Sequence, residues 1–476
     1  MKILFAASEA VPFAKTGGLA DVIGSLPGEL NNLGADVRVI MPKYGDIPLK
    51  YKDKMVLKKN LTIFMGWEYF KTDIYELEFD STTFYFVESE KYFNRSGIYG
   101  FGDEVERFTF FAHAVLEALP HLGFKPQILH CHDWHAGPIS LFLKTHYKDN
   151  EYYKDIRTVY TIHNLSYQGI FPTEVLRVLF NLGDEYFTHE SIEFYGQGSF
   201  MKAGLVYSDY ITTVSKTYAQ EIQTPYYGER LDGLLRHRKD VLVGILNGID
   251  CKLYNPRTDK NIFYKYKDSL IKKQKNKLKL QQLLGLPRKA ETPMIALVSR
   301  LVEQKGLDLV IQILDEVLAM DVQFIVLGTG QKQYEQHLYN VSKAYPDKMY
   351  AQFVFDDSLA RKIWAGSDLF MMPSRFEPCG LCQLIALRYG SIPIVRETGG
   401  LKDTVKQFNP QTGEGNGFTF SSYDPRDLLN VTKKAVELYK DKKSWQLVSK
   451  NAMASDFCWR KSANEYLNLY NQLVNK

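Results

Sequence analysis

No stretch of about 18 or more apolar residues runs through the chain, which excludes a membrane-crossing helix. The opening "MKILFAASEAVPF" is apolar only as far as Glu9 and has no cleavage-like sequel. No signal peptide is therefore expected, and the protein is expected to be cytoplasmic. Excess charge of one sign is missing too. The 59 basic and 55 acidic residues leave a net charge of +4, too small and too evenly spread to argue for a nucleic-acid partner. Cysteine is scarce. Cys131, Cys251, Cys379, Cys382 and Cys458 form an odd, scattered set, which fits reduced thiols rather than a disulfide framework. Cys379 and Cys382 have C-x-x-C spacing, but a second pair for zinc and a thioredoxin-like context are both lacking, so no metal site is expected. The densest basic run, "KYKDSLIKKQKNKLKLQQLLG" from Lys265, carries apolar residues at helical spacing, and its lysines are expected on a solvated helix face.

With 476 residues the chain is too long for one ordinary core and suits two domains. Apolar, β-branched-rich runs recur with helical stretches between them: "KILFAAS", "DVRVIMP", "TTFYFVES", "QILHCHD", "RTVYTIHN" and "DYITTVS". The rhythm restarts in "VLVGILNG", "MIALVSRL", "QFIVLGTG", "QFVFD", "LFMMPSR" and "IPIVRETGG". Alternation of this kind argues for parallel sheets covered by helices, in two doubly wound domains that meet between Asp240 and Asn255. The last segment, from Ala454, reads as a helix in which Trp459, Tyr466, Leu467 and Tyr470 share an apolar face.

In open parallel sheets, ligands collect where strands end and helices begin. Polar and glycine-rich loops stand at those places in both halves, which points to one ligand bridging two domains. In "AKTGGLADVIGSLP", Lys15, Gly17 and Gly18 follow the first strand, yet the spacing is neither G-x-G-x-x-G nor a phosphate loop ending in Gly-Lys-Ser or Gly-Lys-Thr. Asp21, inside the helix that follows, is placed to pair with a lysine or to hold a ligand hydroxyl. In "SRLVEQKG", Arg300 and Lys305 share one loop, where two cations could neutralise a diphosphate leaving group; the alternative is an ordinary charged surface loop.

"PSRFEPCGLCQLIAL" leads tightly into a helix whose first N–H groups, near Leu381 and Cys382, could meet phosphate oxygens. Glu377 in that turn suits a polyhydroxy ligand, or else complements the helix dipole. "LHCHDWHAG" tempts a metal reading, but the spacing fits core histidines better, with Asp133 and Trp134 left to line a sugar site. His163, after "VYTI", could donate to a sugar hydroxyl or be structural. Phe355 in "QFVFDD" could stack on a base, although core packing is the plainer reading.

Taken together and in order, "KTGGLADV", "HDWHAG", "TIHNLSYQG", "LNGID", "SRLVEQKG" and "PSRFEPCGL" resemble the bacterial glycogen synthases, the ADP-glucose-dependent starch and glycogen synthase family, over nearly the whole chain. The resemblance implies the GT-B architecture, an α/β fold of two Rossmann-like doubly wound domains facing each other across a cleft. Their limits would be 1–243 on the acceptor side and 244–456 on the nucleotide-sugar side, with 457–476 a helix returning to the first domain. It implies a retaining glucosyltransferase that moves glucose from ADP-glucose to the nonreducing 4-hydroxyl of an α-1,4-glucan, without a metal or other cofactor.

By the same resemblance, catalysis rests on Glu377, Lys305, Arg300, His163 and Lys15, with Arg300 and Lys305 on the diphosphate and Glu377 on the transferred glucose. Substrate binding falls to Gly17, Gly18, Asp21, Asp133, Asn247, Phe355, Cys379, Gly380, Leu381 and Cys382. Two departures stand out. The family commonly has "CGLTQ" where this chain has "CGLCQ", so Cys382 replaces a hydroxyl with a weaker donor. Many GT-B enzymes also repeat a glutamate eight positions after the first, where this chain has Ile385.

Three other functions compete. A GT-B transferase using UDP-glucose differs in the base pocket. A noncatalytic glucan-binding protein would be favoured by loss of Lys15, Arg300, Lys305 or Glu377, all of which are present. A dinucleotide oxidoreductase would need the complete glycine fingerprint that the first loop lacks.

Overall fold

The apolar runs become buried strands because each is covered on both faces by helices. The computed structural model describes residues 1–475. The chain divides into two compact units, Met1–Gly248 with Trp459–Lys476, and Ile249–Cys458; the resemblance had placed the divisions at 243/244 and 456/457.

The first unit contains β1 (Lys2–Ala6), β2 (Asp36–Pro42), β3 (Val56–Met65), β4 (Glu68–Phe79), β5 (Thr82–Val87), β6 (Ile128–His132), β7 (Arg157–Ile162), β8 (Ile170–Pro172), β9 (Glu193–Phe194), β10 (Gln197–Ser199), β11 (Tyr210–Thr213) and β12 (Leu242–Gly244). Nine of these form one sheet in the order β12-β11-β7-β6-β1-β2-β5-β4-β3, while β8, β10 and β9 make a small separate sheet. The nine-stranded sheet is parallel up to β5, and β4 and β3 then extend it antiparallel. That hairpin was not legible as sheet: β3, "VLKKNLTIFM", is mostly exposed, so it lacks the continuous apolar run that marks a doubly covered strand.

In the second unit, β13 (Met294–Val298), β14 (Gln323–Leu327), β15 (Met349–Gln352), β16 (Leu369–Met372), β17 (Ile392–Arg396) and β18 (Phe418–Phe420) pair in the order β15-β14-β13-β16-β17-β18. All neighbours are parallel. Counted from β13 this is the 3-2-1-4-5-6 order of a Rossmann sheet, and counted from β1 the parallel part of the first sheet follows the same rule. Each sheet therefore has one switch point, between β1 and β6 and between β13 and β16.

Four expectations need correction. "VLVGILNG" does not open the second domain: Leu242–Gly244 pairs with Tyr210–Thr213 and closes the edge of the first sheet. "QFVFD" is not a strand, because β15 is "MYAQ" and ends at Gln352. The lysine-rich helix, Leu270–Leu284, does not turn all its lysines to water. Lys273 is buried and donates to the carbonyls of Trp364, Ala365 and Tyr389, and burial pulls its ammonium down to about 7. Lys277, one turn later on the same face, pairs with Asp368 at 2.6 Å.

The fourth correction concerns the thiols. Cys251 and Cys458 are joined in a disulfide across 207 residues of sequence, within the second unit. Spacing carries no sign of this, since the two sit where the chain enters and leaves that unit and only the fold brings them together. Cys131, Cys379 and Cys382 remain thiols. Thiol titration of the denatured, non-reduced protein should accordingly count three groups, and five after reduction; five at the outset would mean that the bridge does not form.

The C-terminal helix, Trp459–Val474, packs on the first unit and buries Trp459, Tyr466 and Tyr470, with Leu467 at the half-buried margin. Its docking is specified by a polar contact within the apolar face: the Tyr470 hydroxyl meets His130 Nδ1 at 2.7 Å.

Candidate active site

In the first unit the loop after β1 is shaped by a buried carboxylate. Glu9 is 3% exposed and accepts from the Thr16 N–H at 2.5 Å, the Thr16 hydroxyl at 3.1 Å and the Gly17 N–H at 3.4 Å. Tyr99 donates to the same carboxylate, and its hydroxyl also meets Ser8, which in turn contacts His135. Burial raises the Glu9 pKa, against the opposing pull of these donors. In the sequence Glu9 is the charge that breaks an apolar run. That break was itself the signal, because a charge inside a buried run has to be held by something.

Lys15 and Asp21 form an ion pair at 2.7 Å, one of the two roles foreseen for Asp21. Gly17 lies in extended backbone, and a Cβ there would meet nothing nearer than Glu9 Oε1 at 4.0 Å. Packing within the chain does not demand glycine at 17, which caps the helix Gly18–Asn32 and leaves the backbone there unobstructed.

At the other side of the same switch point, Asp133 directly follows β6 and is held at φ 57°. Its carboxylate accepts from the backbone N–H of His163 at 2.8 Å and of Asn164 at 3.4 Å, so two strand ends are tied together by one side chain. Burial raises its pKa to about 7, although these two N–H donors act in the opposite direction. A carboxyl raised from 3.8 on folding contributes most stability below that value and loses it as pH climbs towards 7. Asp133→Asn, which keeps the acceptor oxygen, should flatten the pH dependence of the urea midpoint across that window; an unchanged slope would assign the titration elsewhere.

The histidines follow the bland reading. His130 is satisfied by Tyr470 and by Thr161 at 2.6 Å, and stacks on His132. His132 Nδ1 lies 3.0 Å from His163 Nε2, and its own Nε2 is buried with no partner among the described residues. A buried, unpartnered N–H is rarer than an unpartnered acceptor. We therefore place the His132 proton on Nδ1, which makes His163 Nε2 the acceptor and His163 Nδ1–H its donor. Burial lowers the His163 pKa to about 3, so the ring works as a neutral donor. Asn247, also in this unit, is 5% exposed, and its Oδ1 has no partner among the described residues.

In the second unit, the loops after β13 and β16 meet at their switch point. Gly306, at φ 74°, lets the two backbones touch: a Cβ there would sit 2.1 Å from the Pro373 carbonyl oxygen. This approach brings Lys305 Nζ within 2.6 Å of Glu377 Oε2, which the Ser374 hydroxyl also reaches at 2.9 Å. Lys305 and Glu377 are largely buried, at 14% and 7% exposure of their side chains. Arg300 is exposed and makes no ion pair among the described residues. The carbonyl of Glu377 accepts from Gly400 N–H at 3.1 Å, so the "ETGGL" turn after β17 supports the Glu377 backbone. Neither that glycine pair nor Ser374 carries a local sequence signal for this role, because the contacts form only between distant loops.

Glu377 is thus anchored by an ammonium and a hydroxyl, more than complementing a helix dipole. Cys379 is buried, and Gly380, Leu381 and Cys382 are half-exposed at the start of the helix Cys382–Arg388. Ile385 is a core residue, 4% exposed among Met372, Leu384 and Val395. Phe355 lies three residues past β15 and is 79% exposed, so core packing does not explain it.

Two Rossmann-type sheets with their polar residues gathered at the switch points, one bearing cations beside an anchored carboxylate, are the parts of a GT-B glycosyltransferase. Comparison with known proteins narrows the class. Residues 2–237 match the starch synthase catalytic domain family, and residues 285–452 match glycosyl transferases group 1. The chain is 54% identical over 475 residues to the glycogen synthase of Desulforamulus reducens, covering 100% of this chain and 99% of that one. It is 52% identical to the glycogen synthase of Anoxybacillus flavithermus, covering 100% and 98%. Among solved structures it resembles the catalytic domain of starch synthase IV from Arabidopsis thaliana bound to ADP and acarbose, with a TM-score of 0.93 and 32% identity over 100% of this chain and 99% of that one. The sucrose-phosphate synthase of Thermosynechococcus elongatus, at 16% identity and a TM-score of 0.63, shares the fold. The chain belongs to the glycogen synthase family.

Proposed function

We propose that this protein elongates an α-1,4-glucan by transferring glucose from ADP-glucose to the nonreducing-end 4-hydroxyl with retention at the anomeric carbon, in the cytoplasm. The observation that carries the chemical assignment is the buried Lys305–Glu377 pair at the β13/β16 switch point, with Arg300 on the same loop as the lysine. Cleaving the glucosyl–phosphate bond leaves an oxocarbenium-like sugar and a departing diphosphate. Arg300 and Lys305 neutralise the diphosphate as its charge develops, and the position of Lys305 is set by Glu377 before the reaction begins. Glu377, held by Lys305 and Ser374, accepts from glucose hydroxyls. We assign the leaving group to these two cations rather than to a metal ion.

The first unit supplies Asp133 near the acceptor, and His163 and Asn247 around the transferred glucose. Asp133 and the neutral His163 stand at adjoining strand ends, and the unpartnered Asn247 Oδ1 is an acceptor for a sugar hydroxyl. The Lys15–Gly18 loop, braced by Glu9, contributes a cation and an unobstructed backbone to the donor. Phe355 offers an exposed ring to the base, and Cys379 to Cys382 offer backbone to phosphate oxygens. No carboxylate is assigned as a nucleophile; we favour same-face displacement in which the departing phosphate takes the acceptor proton.

The test is nucleotide release on mixing the protein with a glucan primer and either ADP-glucose or UDP-glucose. Primer-dependent ADP release with chain extension supports the reading. Release from UDP-glucose alone moves the donor assignment, and no release from either by a folded, glucan-binding sample refutes catalysis. The solved relative was bound to ADP and acarbose, a nucleotide and a glucan-like oligosaccharide, which is in keeping with this choice of substrates.

A further inference from the structure

Gln383, the second residue of the helix Cys382–Arg388, is fully buried. Its Nε2 donates to the carbonyl of Cys379 at 3.0 Å, to that of Gly380 at 2.9 Å and to the Thr404 hydroxyl at 3.4 Å. With the amide turned over, Oε1 would face those three oxygens, so the contacts themselves fix which atom is the nitrogen. Oε1 is buried and has no partner among the described residues. The side chain therefore acts through its nitrogen alone.

Tight packing surrounds the same two carbonyls. Gly380 is held at φ 75°, and a Cβ there would lie 2.3 Å from Gln383 Oε1. A Cβ at Gly400 would lie 2.1 Å from the Cys379 carbonyl oxygen. Thr404 is buried as well, and its hydroxyl donates to the Gly400 carbonyl at 2.6 Å while accepting from Gln383. The turn after β16 and the turn after β17 are thus joined around one amide.

We propose that Gln383 is a positioning residue for the departing diphosphate, which it never touches. In a trans peptide the C=O and the N–H point in opposite directions. The Cys379 carbonyl shares its peptide with the Gly380 N–H, and the Gly380 carbonyl shares its own with the Leu381 N–H. Drawing both carbonyls onto one buried nitrogen turns both N–H groups away from it, and neither N–H makes a hydrogen bond among the described residues. Successive N–H groups turned outward in this way form a concavity suited to an anion. The inference rests on the reading in which Cys379 to Cys382 offer backbone to phosphate oxygens, and it adds the group that sets the direction of that backbone. Without the amide the two peptides are free to turn, and a carbonyl oxygen turned outward repels phosphate instead of binding it.

The experiment compares wild type, Gln383→Met and Thr404→Val by calorimetric titration with ADP and with adenosine, and by the KM values for ADP-glucose and glycogen. Gln383→Met keeps the length of the side chain and removes the donor. It should raise the ADP Kd and the ADP-glucose KM about tenfold, the scale of one weakened hydrogen bond to a charged group, with the adenosine Kd and the glycogen KM unchanged. Adenosine carries the base and ribose without phosphate, so it separates misdirected N–H groups from a disturbed pocket. Thr404→Val leaves both carbonyl contacts in place and should bind ADP as wild type does. An unchanged ADP Kd in folded Gln383→Met would overturn the proposal, and so would an equal weakening of adenosine. Should Gln383→Met fail to fold, Gln383→Glu carries the same comparison. Its buried carboxyl, facing carbonyl oxygens, is held protonated and keeps one donor, so ADP should weaken by roughly two- to threefold and adenosine not at all. If UDP is bound in place of ADP, uridine replaces adenosine and the same outcomes decide. A wild type that binds neither diphosphate would overturn the donor reading and this one together, before any substitution is made.

Discussion

Lys305→Ala is expected to reduce kcat about 10²- to 10³-fold, the typical consequence of removing one preorganised group that meets developing charge. The effect should fall on kcat and kcat/KM together, because the ammonium is called on most when the diphosphate departs. The structure adds a second consequence. Lys305 and Ser374 both donate to Glu377 Oε2, so removing the lysine also leaves a carboxylate that is 7% exposed short of its main partner. Glu377→Gln separates the two roles. It keeps a hydrogen-bond acceptor for Lys305 and for a sugar hydroxyl but removes the charge, and it should retain more activity than Glu377→Ala. Steady-state kinetics with ADP-glucose and glycogen, beside circular dichroism to confirm folding, provides the measurement. Near-normal turnover by Lys305→Ala would remove this pair from the catalytic centre.

The largest effect on stability is expected at Lys277. Its side chain is 1% exposed, and its ammonium bonds to Asp368 at 2.6 Å, to the Ala290 carbonyl and to the Tyr439 hydroxyl. Asp368 also accepts from the Met294 N–H at the start of β13, so the pair fastens the helix Leu270–Leu284 to the central strand of the second sheet. Removing one member of a buried pair leaves the other charged and largely desolvated, which costs about 3–5 kcal/mol. Lys277→Ala should therefore move the urea transition of the second unit to lower denaturant, as reported by Trp364 and Trp445 fluorescence. Lys279→Ala on the same helix, where the side chain lies toward solvent, should leave it within about 0.5 kcal/mol of wild type. Equal effects at the two positions would show that the buried pair is not the fastening.

These two lysines illustrate what can be read from a chain and what cannot. Lys277 and Lys279 stand in the same basic run with the same local spacing, and composition treats them alike. Only the partner decides, and Asp368 is far away in sequence. Phe355 shows the same limit from the other side: an aromatic near a strand reads as core until the strand is found to end at Gln352. Glu9 was visible as a charge in an apolar run, but its role as the brace of the Lys15–Gly18 loop required the turn that brings Thr16 and Gly17 back over it. The Cys251–Cys458 bridge had no local signature at all.

The amino-acid sequence by itself determined the doubly wound sheets, the location of polar loops after their strands and, through six motifs in order, the family. Those properties depend on short-range patterning, on the burial of continuous apolar runs and on residue types at fixed spacing, all of which are written along the chain. The tertiary structure alone decided the pairing of Lys305 with Glu377, the burial that keeps His163 neutral, and the burial of Lys273 and Lys277. Each of these depends on which distant groups share a desolvated space. Charge, protonation and exposure are set by that neighbourhood, and the chain acquires it only on folding.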